Sequence, residues 1–106
     1  MPGPVSAPEH VRHEWEESAR RLEAAASDRP LYHALLEQVE AVTDELRKRV
    51  GQTYSLAELA GAYLEAERWA AETLADEDAP RWPQNLATVV GVAFHRYARG
   101  ALDYEP

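Results

Sequence analysis

LATVVGVAFHRYAR, residues 86–99, decides the fold, because it is the one segment that is apolar on more than one side. At about 100° per residue, Leu86, Val89, Val90, Ala93, Phe94 and Tyr97 form one continuous helical face. Val92 and the small residues Ala87, Gly91 and Ala98 carry the apolar surface round its flanks, leaving Thr88, His95 and Arg99 as a thin strip for water. A helix with that distribution must be covered on at least two sides, which places it at the centre of the molecule. Gly91 falls at mid-helix, where glycine costs about 1 kcal/mol against alanine, so another helix is expected to approach closely there.

Three preceding segments carry faces that can cover it. Ser6 and Glu9 have capping-box spacing, and Val11, Trp15, Ala19, Leu22 and Ala26 form a narrow stripe, so a first helix is expected from about Ala7 to Ala26. Ser27 or Asp28 suits an N-cap and Pro30 a first turn, so SDRP reads as a tight connection. The second helix, Arg29 to Val50, sets Leu31, Tyr32, Leu35, Leu36, Val39, Val42, Leu46 and Val50 on a broad face. Arg47, Lys48 and Arg49 complement its C-terminal dipole, and Gly51 is placed as the left-handed C′ residue.

A capping box at Ser55 and Glu58, with Tyr54 and Leu59 as a hydrophobic staple, opens the third helix. Its expected face is Leu56, Leu59, Ala60, Tyr63, Leu64, Ala70, Ala71 and Leu74, ending near Ala75 before the turn-rich DEDAPRWP. Pro83 suits the first turn of the central helix and Gly100 its C′ position. Trp82, between Pro80 and Pro83, reads as a plug for one end of the bundle. Four helices joined by connections of roughly 2 to 8 residues make an all-α, four-helix bundle-like single domain over residues 6–100, with sequence neighbours antiparallel. Residues 1–5 read as a disordered tail, and 101–106 as a C-terminal tail that only Leu102 and Tyr104 could tie down.

Composition narrows the function classes. The 106 residues include 11 Leu, 8 Val, one Phe, no Ile and 19 Ala, so the core is thin and packed from small residues, and burial in an oligomer would add to it. A net charge of −8 repels phosphate backbones and anionic lipid, so neither nucleic acid nor a membrane surface is an expected partner. The acid is concentrated in residues 1–80, net −9, against +1 for residues 81–106. The absence of cysteine, of a basic and apolar leader in MPGPVSAPEH, and of any run near the roughly 18 apolar residues of a membrane span gives a cytoplasmic expectation.

No nucleophile motif, phosphate loop or cofactor motif is visible, so no cofactor is expected. His10 and His13 share a helix surface with Glu14 and Glu17, but they lack the H-E-x-x-H arrangement and lie off the apolar stripe, so they read as solvated, as do His33 and His95. Glu67 falls within the expected apolar face of the third helix, where a carboxylate either needs a partner, for which Arg96, Tyr97 or Tyr32 could serve, or reaches out to water at the helix edge. Trp69 points towards the polar side, and either it is partly buried against the C-terminal tail or the linker, or with Ala62, Glu65 and Glu72 it forms a candidate subunit or partner interface.

The expected function is therefore non-enzymatic: a small acidic helical protein acting through protein contacts, as a homodimer or other homo-oligomer or as an adaptor. One alternative is a helical-bundle enzyme or metal-binding or ligand-binding protein using Glu67 in a core pocket. A second alternative scans LAELAGAYLEAERW as a helix-turn-helix for DNA, against which stand Glu65, Glu67 and Glu72 and an unbroken helical period across Gly61.

Overall fold

The computed structural model describes residues 6–74 and 82–104. These residues form four helices, α1 (Ser6–Ala24), α2 (Arg29–Val50), α3 (Leu56–Leu74) and α4 (Trp82–Ala98), with a 3-10 turn, Ala25–Ser27, between the first two. The expected tail at 1–5, the acidic linker, and the side chains on which the Ser6–Glu9 box, the Trp82 plug and Pro83 depend lie outside the described residues.

Local chemistry accounts for the boundaries. The Asp28 carboxylate accepts the Leu31 amide at 3.3 Å with Pro30 in the first turn, which starts α2. Gly51 ends it at φ 89°, a left-handed conformation that a side chain would strain, with its amide bonded to the Arg47 carbonyl. At α3 the capping box is reciprocal: the Ser55 hydroxyl accepts from the Glu58 amide at 3.1 Å, and Glu58 accepts from the Ser55 amide at 3.0 Å. Tyr54 and Leu59, the staple pair, are both buried.

α4 is the centre, packing against α1, α2 and α3, with Val89, Val90, Val92, Ala93 and Phe94 almost wholly buried. α1 and α2 do not form the expected antiparallel pair. They make little contact with each other, and each rests instead on α4 and α3. α1 buries Val11, Trp15, Ser18 and Leu22, so Ser18 replaces Ala19 at the centre of the stripe, while Ala26 is exposed. The strip of α4 expected to face water is partly covered as well: Thr88 is buried, His95 is half-buried and only Arg99 is exposed.

The reason is a polar seam between α1 and α4. Arg21 donates from Nε to Thr88 Oγ1 at 3.0 Å and from a terminal nitrogen to Ser18 Oγ at 2.9 Å, and the Ser18 hydroxyl donates to the Glu14 carbonyl at 3.1 Å. A buried hydroxyl with its bonds made is tolerated in a core, whereas an unpaired one costs about 1–3 kcal/mol. Gly91 lies against this seam. A Cβ there would stand 1.9 Å from Ser18 Oγ and 2.4 Å from Ser18 Cβ, so the close approach expected of Gly91 is present and is made by α1.

The C-terminal segment docks. Leu102 donates its amide to the Tyr54 carbonyl at 2.9 Å, Asp103 accepts the Leu56 amide at 2.7 Å, and Arg12 lies 5.2 Å from the Tyr104 ring centroid. Gly100 does not adopt the left-handed C′ geometry expected of it. It is needed for space, since a Cβ would stand 2.6 Å from the Tyr54 hydroxyl, which itself donates to the Tyr97 carbonyl while the two rings stack at 4.7 Å.

Candidate functional site

α3 departs most from expectation, and the departure relocates every candidate residue on it. The helix is turned so that its buried side is Leu56, Leu59, Ala60, Ala66, Trp69 and Ala70. Trp69, expected in solvent, is 6% exposed, and Leu64, expected in the core, is 83% exposed. Alanine gives a helix little sidedness, so the burial of one indole outweighs that of one leucine: a Trp side chain removes roughly 150–250 Å² from water. The rotation carries Glu67 out to the surface. Glu67 is therefore not a buried carboxylate. Arg96 is exposed too, and the two line different depressions, so they form no pair.

Trp69, Ala62, Glu65 and Glu72 do come together. With Leu46, Arg49 and Arg68 they line an open cleft of about 590 Å³ between α2 and α3. Trp69 forms its wall from the inside, so it contributes to the core of the monomer and is not a free aromatic at an interface. The Arg49 guanidinium lies 4.9 Å from the indole centroid and is bonded to Glu45 at 3.0 Å, and Arg68 is bonded to Glu65 at 2.8 Å. Each cation in the cleft is thus already matched by a carboxylate of its own helix.

A second depression, of about 270 Å³, gathers His13, Glu14, Glu17, Tyr63 and Glu67 beside the Ser18–Arg21 seam. The Tyr63 hydroxyl faces Glu14 Oε1 at 3.4 Å. Burial, then the Glu14 and Glu67 charges, push the Tyr63 phenol up to about 12, against a smaller opposing pull from Arg21. Such a phenol is a hydrogen-bond donor at neutral pH and is not an acid. His10 lies 3.6 Å from Glu14 and is exposed. Among the described residues, no group of three or more His, Asp or Glu side chains is arranged to hold a metal ion.

The side of α3 opposite the core is the feature that sequence reading missed. Ala57, Gly61, Leu64 and Arg68 run along it in a 4-3-4 spacing, all exposed. One signal was available in the sequence: Gly61 sits at mid-helix, and in the structure a Cβ there would meet nothing within 4 Å. α3 is also unbroken from Leu56 to Leu74, so the turn a helix-turn-helix would need at Gly61 is absent. Among the described residues no helix is long and apolar enough to cross a membrane. Comparison with family profiles, curated proteins and solved structures finds no match to this chain.

Proposed function

We propose that this protein works without catalysis, by contact with other polypeptides, and that the outer side of α3 is where it makes that contact. The observation that supports this reading is Leu64, 83% exposed on the helix face directly opposite the core, in line with Ala57 and Gly61. A large aliphatic side chain so placed is little covered by the described residues and favours association on burial, by about 1.5–3 kcal/mol if fully covered. The acidic side chains Glu58, Glu65 and Glu67 flank the stripe and form the polar rim that a reversible contact requires.

Site-specific photo-crosslinking in the cell of origin tests the reading. A photoreactive residue at position 64 should yield covalent adducts with polypeptide, and one at the exposed Glu37 of α2 should not. Recovery of unmodified chain from both positions, or equal adducts from both, refutes it.

A further inference from the structure

We infer that the partner on this face is a second copy of the same chain, docked antiparallel along α3, with Leu64 of each copy seated on Gly61 of the other. The inference rests on the protein-contact reading above and specifies its partner.

The spacing comes first. Ala57, Gly61, Leu64 and Arg68 are separated by four, three and four residues, the alternation that keeps a seam facing a second helix at about 3.5 residues per turn. The seam contains both a knob and a hole. Leu64 projects into solvent, and Gly61, one turn away, leaves the backbone bare with nothing within 4 Å of where a Cβ would lie. Glycine in a helix interior costs about 1 kcal/mol against alanine. Among the described residues no neighbour requires that sacrifice, whereas a leucine from a second helix does.

Symmetry then selects the orientation. The midpoint between Gly61 and Leu64 is also the midpoint between Ala57 and Arg68. A two-fold axis through that point, perpendicular to the helix, therefore places Leu64 on Gly61 twice and Arg68 beside Ala57 and Glu58 twice. Glu58 uses one carboxylate oxygen on the Ser55 amide, leaving the other for the incoming guanidinium. Arg68, bonded to Glu65 of its own chain at 2.8 Å, would bridge that carboxylate to Glu58 of the second copy. A parallel pairing in the same seam stacks Leu64 on Leu64 and Arg68 on Arg68 and leaves both holes unfilled. Charge complementarity thus favours the antiparallel arrangement.

The contact is small. A stripe of about 17 Å along one helix falls short of the roughly 800 Å² per partner of a stable complex, so the dimer is reversible. Each copy carries −8, so long-range repulsion opposes association and salt relieves it.

Sedimentation velocity of the purified full chain tests this from about 10 to about 500 μM, at roughly 20 and 200 mM salt. Wild type should pass from monomer to dimer across the series, more readily at the higher salt. Leu64→Glu should remain monomeric throughout with an unchanged helical spectrum, because position 64 is already in solvent. Gly61→Leu should also remain monomeric while melting no lower than wild type, since a Cβ there meets nothing within 4 Å among the described residues of its own chain. Arg68→Glu alone and Glu58→Lys alone should each shift the midpoint at least fivefold to higher concentration, and an equimolar mixture of the two should restore it.

Wild type that stays monomeric in every condition, or Leu64→Glu that dimerises as wild type does, overturns the self-association. Loss of dimer in Leu64→Glu without restoration in the mixture overturns the antiparallel register. Photo-adducts from position 64 with a different polypeptide, together with a monomeric purified chain, remove the second copy as partner and leave the protein-contact reading standing; no adducts at all removes both.

Discussion

Gly91→Ala is the smallest change that probes the α1–α4 seam. The added methyl carbon would stand 2.4 Å from Ser18 Cβ, more than 1 Å inside the roughly 3.5–4.0 Å at which carbon atoms rest. The Ser18 hydroxyl, 1.9 Å away, could rotate aside only by giving up its bonds to the Glu14 carbonyl and to Arg21. Rotation leaves the carbon overlap untouched, because Cβ is fixed to the backbone. The helices must therefore separate, and overpacking of this kind costs about 1–3 kcal/mol.

With the backbone-attached carbon in the clash, the upper end applies, and about 1 kcal/mol is recovered from the better helix propensity of alanine. The net expectation is a loss of about 2 kcal/mol, or roughly 8 °C in melting temperature for a domain of this length. Chemical denaturation of wild type and three variants gives the assay. Ser18→Ala in the Gly91→Ala background should rescue little, because the carbon overlap remains, whereas Ser18→Gly should recover most of the loss. A Gly91→Ala protein as stable as wild type, or equal rescue by Ser18→Ala and Ser18→Gly, refutes the proposed contact.

Trp69→Ala should destabilise the monomer by about 3–5 kcal/mol, since the indole is buried, and a far smaller loss on denaturant unfolding would return Trp69 to the surface. Glu67→Gln and Glu67→Ala should be equally mild, each within about 0.5 kcal/mol of wild type by the same assay, because the carboxylate is exposed; a costly alanine would mean burial. His95 is held below its ordinary 6.5 by burial first and then by Arg99, Arg96 and Arg12, against the opposing pull of Glu16. Its neutral form is favoured by folding, so its contribution is complete above pH 6.5 and is lost as pH falls through the lower folded value. His95→Gln should flatten that part of the stability curve, and an imidazole NMR titration midpoint at or above 6.5 would contradict it. Tyr63 has the opposite sense: its contribution is complete below pH 10 and is lost towards about 12, so Tyr63→Phe should lessen the loss of stability between those values.

The fold class and three helix starts or ends are legible in the sequence because they rest on interactions between residues within one turn of each other. Asp28 with Pro30, Ser55 with Glu58, and Gly51 at φ 89° each satisfy or release backbone groups locally. The centrality of α4 is legible too, because a helix apolar on several sides has no stable position at a surface. Gly91 belongs with these, since the need for space at mid-helix is written in the residue type, although the identity of its neighbour is not.

Only the tertiary structure decided how α3 is turned and which helices are neighbours. The apolar residues of α3 lie on every side of the helix, and most of them are alanine or glycine, whose burial differs little from one orientation to another; packing against α2 and α4 breaks the tie by enclosing Trp69 and releasing Leu64. That rotation of under half a turn moved Glu67 from core to surface and made Trp69 the inner wall of a cleft. The α1–α4 seam was hidden for a related reason. Thr88 reads as solvent-facing because it is polar alone, and Ser18 and Arg21 stand outside the apolar stripe expected of α1. Ser18 and Thr88 are buried because Arg21 reaches in from the edge to bond both, and its bond to Thr88 spans 67 residues of chain, a pairing that no local pattern encodes.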